Sequence, residues 1–81
     1  MQHADKLETL AIDSLVPYAR NARTHSADQV AAVARSIQRF GFTNPVLIDA
    51  EGGIVAGHGR VLAAKSLGMG VVPCLRVGWL E

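Results

Sequence analysis

The chain has 81 residues, 49% of them hydrophobic, and its eight Lys and Arg against seven Asp and Glu give a formal net charge of +1. This length allows one small core, since chains of about 60 to 80 residues bury only roughly 60% of their unfolded surface, and the apolar content excludes a disordered segment. The near-zero charge excludes a strong overall field toward nucleic acid or acidic membranes, so any anion binding must be local.

The first half of the chain predicts a strand, a polar loop and a helix. Loosely alternating apolar residues in LETLAIDSLVPY, from Leu7 onward, indicate a strand of about six residues, and YARNARTHS follows as a loop. Ser26 and Gln29 form a capping-box pair, so the first helix should start near Ala27 and end at Gly41. The apolar stripe of this helix comprises Val30, Val33, Ala34, Ile37 and Phe40.

The second half predicts two strands, a helix and a last strand. The strands 46–49 and 54–56 are joined by a turn of hairpin length, RVLAAKSL forms a helix of about eight residues, and Gly68 lies just past its end. VVPCLRV is the final strand, in which Pro73 indicates an edge position or a bulge. The order β-α-β-β-α-β predicts an α+β domain with a small mixed sheet and two helices.

The ends of the chain and its cysteine bear on its cellular setting. Cys74, the only cysteine, lies in an apolar run and is expected to be a buried strand residue. No apolar run approaches the roughly 18 to 20 residues of a membrane span, and MQHADKLE lacks the apolar core of a signal peptide, so we expect a cytoplasmic protein. Leu80 and Glu81 follow Trp79 without a stop signal, so residues 1–81 are expected to be one domain of a longer protein.

The stretch GGIVAGHGRVLAAKSLGM places a glycine-rich segment directly before a helix. Gly57 and Gly59 leave backbone N–H groups open to an anion at the positive end of the helix dipole, and Arg60 can add a charged contact to a phosphate. The alternative is that the glycines only permit a sharp turn and that Arg60 is exposed. The pattern is not a Walker A loop, and Leu62 stands where a dinucleotide fingerprint would have its third glycine.

The histidines do not have the spacing of a metal cluster. His25 is distant in sequence from His58, and His3 lies at the start of the chain, so no metal site is predicted. We expect the ring of His58 to hydrogen-bond a phosphate or its own loop, and His25 to be a loop-packing residue.

Three segments together resemble a known superfamily. NARTHS, SIQRFGFTNPVLID and GIVAGHGRVLAAKSLGM, in this order, are similar to the ParB/sulfiredoxin-like fold, especially to the ParB-like N-terminal, or nuclease-like, domains of phage proteins and of proteins next to DNA methyltransferases. The resemblance covers about residues 7 to 77. It implies a ParB/sulfiredoxin-like sheet with two helices and a bacterial or phage origin.

The resemblance also implies a nucleotide site. In the superfamily the segment at Ala56–Arg60 holds the triphosphate of CTP or ATP, so Gly57, His58, Gly59 and Arg60 are expected at the phosphates, with Mg²⁺. Gly59 departs from the Arg or His of the family pattern. FTNPVLI resembles the stretch beside the base, which makes Thr43 and Asn44 candidates for contacts to base or ribose, and Arg23 resembles an arginine that faces the same pocket.

The predicted function is that of a ParB-like nucleotide-binding regulatory module of a DNA-associated protein. Its expected partners are a nucleotide, DNA through the full-length protein, and a second copy in a possible homodimer. Sulfinic acid reduction is not expected, because His58 stands in the place of the sulfiredoxin cysteine. Two alternatives stay open: a DNA-processing nuclease or NTPase, for which Asp49 and Glu51 are the carboxylates near the hairpin, and a DNA- or protein-binding adaptor with a degenerate pocket. No catalytic residues are assigned.

Overall fold

The computed structural model describes residues 7–17 and 25–77 and has the predicted α+β architecture. A single 3₁₀ turn at Ile12–Ser14, which the sequence analysis did not predict, follows the first strand. The regular elements are β1 (Leu7–Ala11), α1 (Ala27–Phe40), β2 (Val46–Ile48), β3 (Ile54–Ala56), α2 (His58–Ser66) and β4 (Val71–Arg76). None of the helices in the described residues is long and apolar enough to cross a membrane.

The four strands form one mixed sheet in the order β1-β4-β2-β3. β4 runs antiparallel to β1 and parallel to β2, and β2 pairs antiparallel with β3. β4 is an inner strand of this sheet, although Pro73 predicts an edge position or a bulge. Pro73 pairs with Thr9 of β1, and the ladder to β2 begins only at Cys74, so β4 is an edge locally at the proline.

Helix α1 begins at the predicted capping box. The Ser26 hydroxyl accepts the Gln29 amide and the Gln29 side chain accepts the Ser26 amide, both at 3.1 Å. The apolar stripe is less buried than its pattern suggests: Ala34 is buried, whereas Phe40 is 65% exposed, with the Arg39 guanidinium 5.2 Å from its ring centre. Part of this face therefore lines a groove instead of the core.

The core lies between the sheet and α2. Val46, Ile48, Val72 and Cys74 are fully buried, and α2 contributes residues such as Val61 to the same cluster. Helix α1 packs on α2. Cys74 is thus the buried strand residue that was predicted, and its burial raises the pKa of the thiol.

The ends of the sheet are tied by a guanidinium that the sequence analysis did not single out. Arg76 donates to both carboxylate oxygens of Glu8, at 2.9 and 3.0 Å, and to the carbonyls of Asp49 and Ala50. The Asp49 carboxylate in turn accepts the amides of Glu51 and Gly53, so it shapes the β2–β3 turn. β2 accordingly ends at Ile48, one residue before the predicted end.

Candidate functional site

A single glycine joins β3 to α2. Gly57 has φ 108° and ψ 18°, a left-handed conformation that turns the chain from Ala56 straight into the helix. The helix therefore begins at His58, two residues before the predicted start. Gly59 and Arg60 lie in its first turn and not in a loop.

The first turn of α2 presents unpaired backbone donors. The Val61 amide is the first to bond within the helix, to the Gly57 carbonyl at 3.0 Å. Among the described residues the amides of His58, Gly59 and Arg60 have no acceptor, as expected for the first residues of a helix without a side-chain cap. This end of the helix carries the positive part of the dipole, which favours an anion.

The backbone at Gly57 lies close to two neighbours. A Cβ at this position would come within 3.3 Å of the Val46 Cα and within 3.1 Å of the Arg60 Nη2. The glycine is required both for its positive φ and for this close packing of α2 against β2.

Arg60 is held along the protein surface. Its Nη2 donates to the Pro45 carbonyl at 3.2 Å, and its Nε is buried without a hydrogen-bond partner in the described part of the chain. The alternative that Arg60 is simply an exposed side chain is wrong, because the residue is half-buried. Its guanidinium retains donors beyond the one that Pro45 accepts.

Two imidazole rings, those of His25 and His58, line the same cavity at the start of α2. The His25 ring packs on Gly59, with its Cε1 3.4 Å from where a Cβ would stand. His58 is half-buried, and its Nε2 is buried and has no partner in residues 7–17 or 25–77. Burial, and then the nearby charge of His25, lower the pKa of His58 below its ordinary value.

These residues line one groove between α1 and α2, here called the interhelical groove. Its larger end, a cleft of about 620 Å³, is lined by His25 and by 57–60, and its smaller end, about 330 Å³, by Thr43 and Asn44. Arg60 lines both ends, as do Ala32 and Val33 of α1, so the two ends adjoin. The structure brings six of the seven predicted site residues to this groove, and Arg23 lies outside the described residues.

His25 is a titratable lining residue that was not among the predicted site residues. Its contact with Gly59 joins positions 34 residues apart, which no local pattern reveals. The missing side chain at Gly59 was the available signal, because a glycine inside a helical turn often accommodates a close neighbour. In the described residues no three metal-ligating side chains cluster.

Comparisons with known proteins place this fold. The ParB N-terminal domain family matches residues 1–77. The ParB-like nuclease domain-containing protein YnaK of Escherichia coli (strain K12) is 59% identical over 64 residues, which cover 79% of this chain and 74% of that relative.

Solved structures share the same architecture. The chromosome-partitioning protein ParB from Caulobacter crescentus, complexed with CTP-gamma-S, is 26% identical with a TM-score of 0.76, covering 88% of this chain and 43% of that one. Sulfiredoxin from Arabidopsis thaliana shares the fold at 18% identity, with a TM-score of 0.77, covering 88% of this chain and 83% of that one. A mutant free serine kinase in complex with ADP does so at 20% identity, with a TM-score of 0.76, covering 99% of this chain and 34% of that one. The chain thus spans less than half the length of the ParB and kinase structures. Since the family match extends over nearly all of its length, the chain belongs to the ParB N-terminal domain family of the ParB/sulfiredoxin superfamily.

Proposed function

We propose that this domain is a nucleotide-binding regulatory module of a DNA-associated protein, with the nucleotide in the interhelical groove. The phosphates lie at the start of α2, on the amides of 58–60 and the guanidinium of Arg60, with Mg²⁺ accompanying a nucleoside triphosphate such as CTP or ATP. The base and ribose lie at the other end, beside Thr43 and Asn44. Arg23 completes the set of candidate contacts.

The observation that carries the proposal is that Arg60 lines both adjoining ends of the groove. One end offers unpaired N–H donors at the positive end of a helix, which suits phosphates. The other end offers the hydroxyl of Thr43 and the amide of Asn44 beside the apolar wall of α1, which suits a base or a sugar. A cleft of about 620 Å³ is in the size range of small-molecule sites, roughly 300 to 1,000 Å³.

The neighbours support a nucleotide as the ligand. The Caulobacter crescentus ParB structure holds CTP-gamma-S, and the free serine kinase structures hold AMP or ADP. ParB-type proteins suggest DNA as the further partner of the full-length protein, with a homodimer and a cytoplasmic location as further predictions.

Calorimetric titration with CTP, ATP and GTP in the presence of Mg²⁺ tests the proposal, with Arg60→Ala as the variant. Loss of a charge-assisted hydrogen bond, about 1.5 to 3 kcal/mol, should weaken binding roughly 10- to 100-fold. Arg39→Ala, which removes a cation at the exposed end of α1, is the matched control and should bind like the unmodified protein. Equal affinity of the two variants would contradict the placement of the phosphates.

The name of the relative YnaK keeps a nuclease as the second candidate. A nuclease of this chain would use Asp49 and Glu51, but the Asp49 carboxylate already accepts two backbone amides of its own turn. Metal-dependent cleavage of plasmid DNA that is lost in Glu51→Gln would favour this candidate. Absence of cleavage would count against a nuclease, and cleavage that persists in Glu51→Gln would exclude Glu51 from its catalytic residues.

A further inference from the structure

The start of α2 holds two histidines from separate parts of the chain. His25 precedes α1, and its ring packs on Gly59 in the first turn of α2. His58 is the first residue of that turn and keeps a buried Nε2 without a partner in the described residues. Both line the larger end of the interhelical groove together with Arg60.

Among residues 7–17 and 25–77, the side chains that line the cavities around the two rings include bases and no carboxylates. Of the described residues that line the larger end, the charged or titratable ones are His25, His58 and Arg60. A neighbouring cavity of about 120 Å³, also lined by both histidines, adds Lys65 of α2. The other described residues that line the two cavities are neutral, and they include Gln29 on α1, apolar residues of β3 and apolar residues of the segment 12–17.

An imidazole is the side chain whose charge ordinarily changes between pH 5 and 8. Here no carboxylate of the described residues lines the cavities beside the rings, and burial with a like charge nearby lowers the pKa of His58. These surroundings therefore favour the neutral form of the His58 ring. A phosphate at the start of α2 would reverse this preference, because a neighbouring anion favours the charged imidazolium.

We propose that His25 and His58 form a protonation-dependent phosphate contact, so that the groove binds a nucleotide more tightly as the pH falls. The inference rests on the proposed function and deepens it by naming a regulator, the proton. It makes His25 and His58 ligand-binding residues, whose rings donate to phosphate oxygens once they are protonated.

Proton uptake on binding tests the inference. CTP is titrated with Mg²⁺ by calorimetry at about pH 6 and about pH 8, each in two buffers that differ in protonation enthalpy. Uptake of close to one proton predicts that binding tightens roughly tenfold for each pH unit over which the uptake holds. The terminal phosphate of CTP loses charge over the same range, which weakens binding at low pH in every variant alike.

The double variant His25→Gln, His58→Gln should lose both the proton uptake and the tightening at the lower pH. Arg39→Gln, the matched control, should keep both. In the unmodified protein, NMR titration of the imidazoles should show that CTP raises the pKa of at least one ring. This measurement does not depend on whether the variants fold.

Three results would overturn the inference. Binding without proton uptake in the unmodified protein, or unchanged uptake in the folded double variant, removes the histidines from the contact but leaves the proposed function standing. Absence of binding by CTP, ATP and GTP at both pH values overturns the proposed function and the inference with it.

Discussion

Replacing Gly57 by alanine tests how closely the start of α2 packs against β2. A non-glycine residue in the left-handed region costs about 1 to 2 kcal/mol. The added methyl would also stand 3.3 Å from the Cα of the fully buried Val46 and 3.1 Å from the Arg60 Nη2. Displacing the guanidinium gives up its bond to Pro45, worth about 0.5 to 1.5 kcal/mol.

Together these costs predict a loss of roughly 3 kcal/mol in the free energy of unfolding. A domain of this length is stabilised by roughly 4 to 12 kcal/mol, so the loss is readily measured. Equilibrium urea unfolding followed by far-UV circular dichroism is the assay.

Gly68→Ala is the matched control. Gly68 also has a positive φ, 76°, but an added Cβ would meet nothing within 4 Å. The free energy of unfolding of this variant should fall only by the cost of placing alanine in a left-handed backbone conformation, about 1 kcal/mol. Equal losses in the two variants, within about 0.5 kcal/mol, would refute the close packing at Gly57 and the position derived for Arg60.

Three further predictions concern stability and reactivity. Glu8→Gln should lower the free energy of unfolding by less than about 1 kcal/mol, since its ion pair with Arg76 is about a third exposed. Arg76→Met should lower it by more, because this variant also loses the hydrogen bonds to two carbonyls of the β2–β3 turn. The folded state lowers the pKa of His58, so the unfolded chain binds a proton more readily than the folded protein. The free energy of unfolding should therefore fall as the pH drops below about 6.5 toward that lower pKa. His58→Gln should flatten this pH dependence, measured as the midpoint of urea unfolding. Burial raises the pKa of Cys74, so a thiol reagent should react only as fast as the protein unfolds and faster in urea.

Local chemistry in the sequence predicted most of the fold. The capping box of Ser26 and Gln29 located the start of α1, and the glycine at position 41 located its end. These signals act between residues three or four apart, so a sequence reading can find them. The strands of the hairpin were predicted to within one residue for the same reason.

The wrong predictions concern positions where contacts between residues distant in the sequence determine the structure. The start of α2 was placed two residues late because the two glycines around His58 indicate a loop, whereas the left-handed Gly57 alone makes the turn. The interior position of β4 depends on β2 lying beside it, which the chain order does not specify. The packing of His25 on Gly59 and the bond from Arg60 to Pro45 likewise follow from the tertiary fold.

Titration of the isotopically labelled, unmodified protein with CTP and Mg²⁺, followed by amide NMR shifts, tests the central claim most directly. One ligand along the interhelical groove predicts that the amides of 57–60 and those of Thr43 and Asn44 shift together with a single dissociation constant. Shifts confined to one end of the groove, or centred on the far strand β1, would contradict the claim.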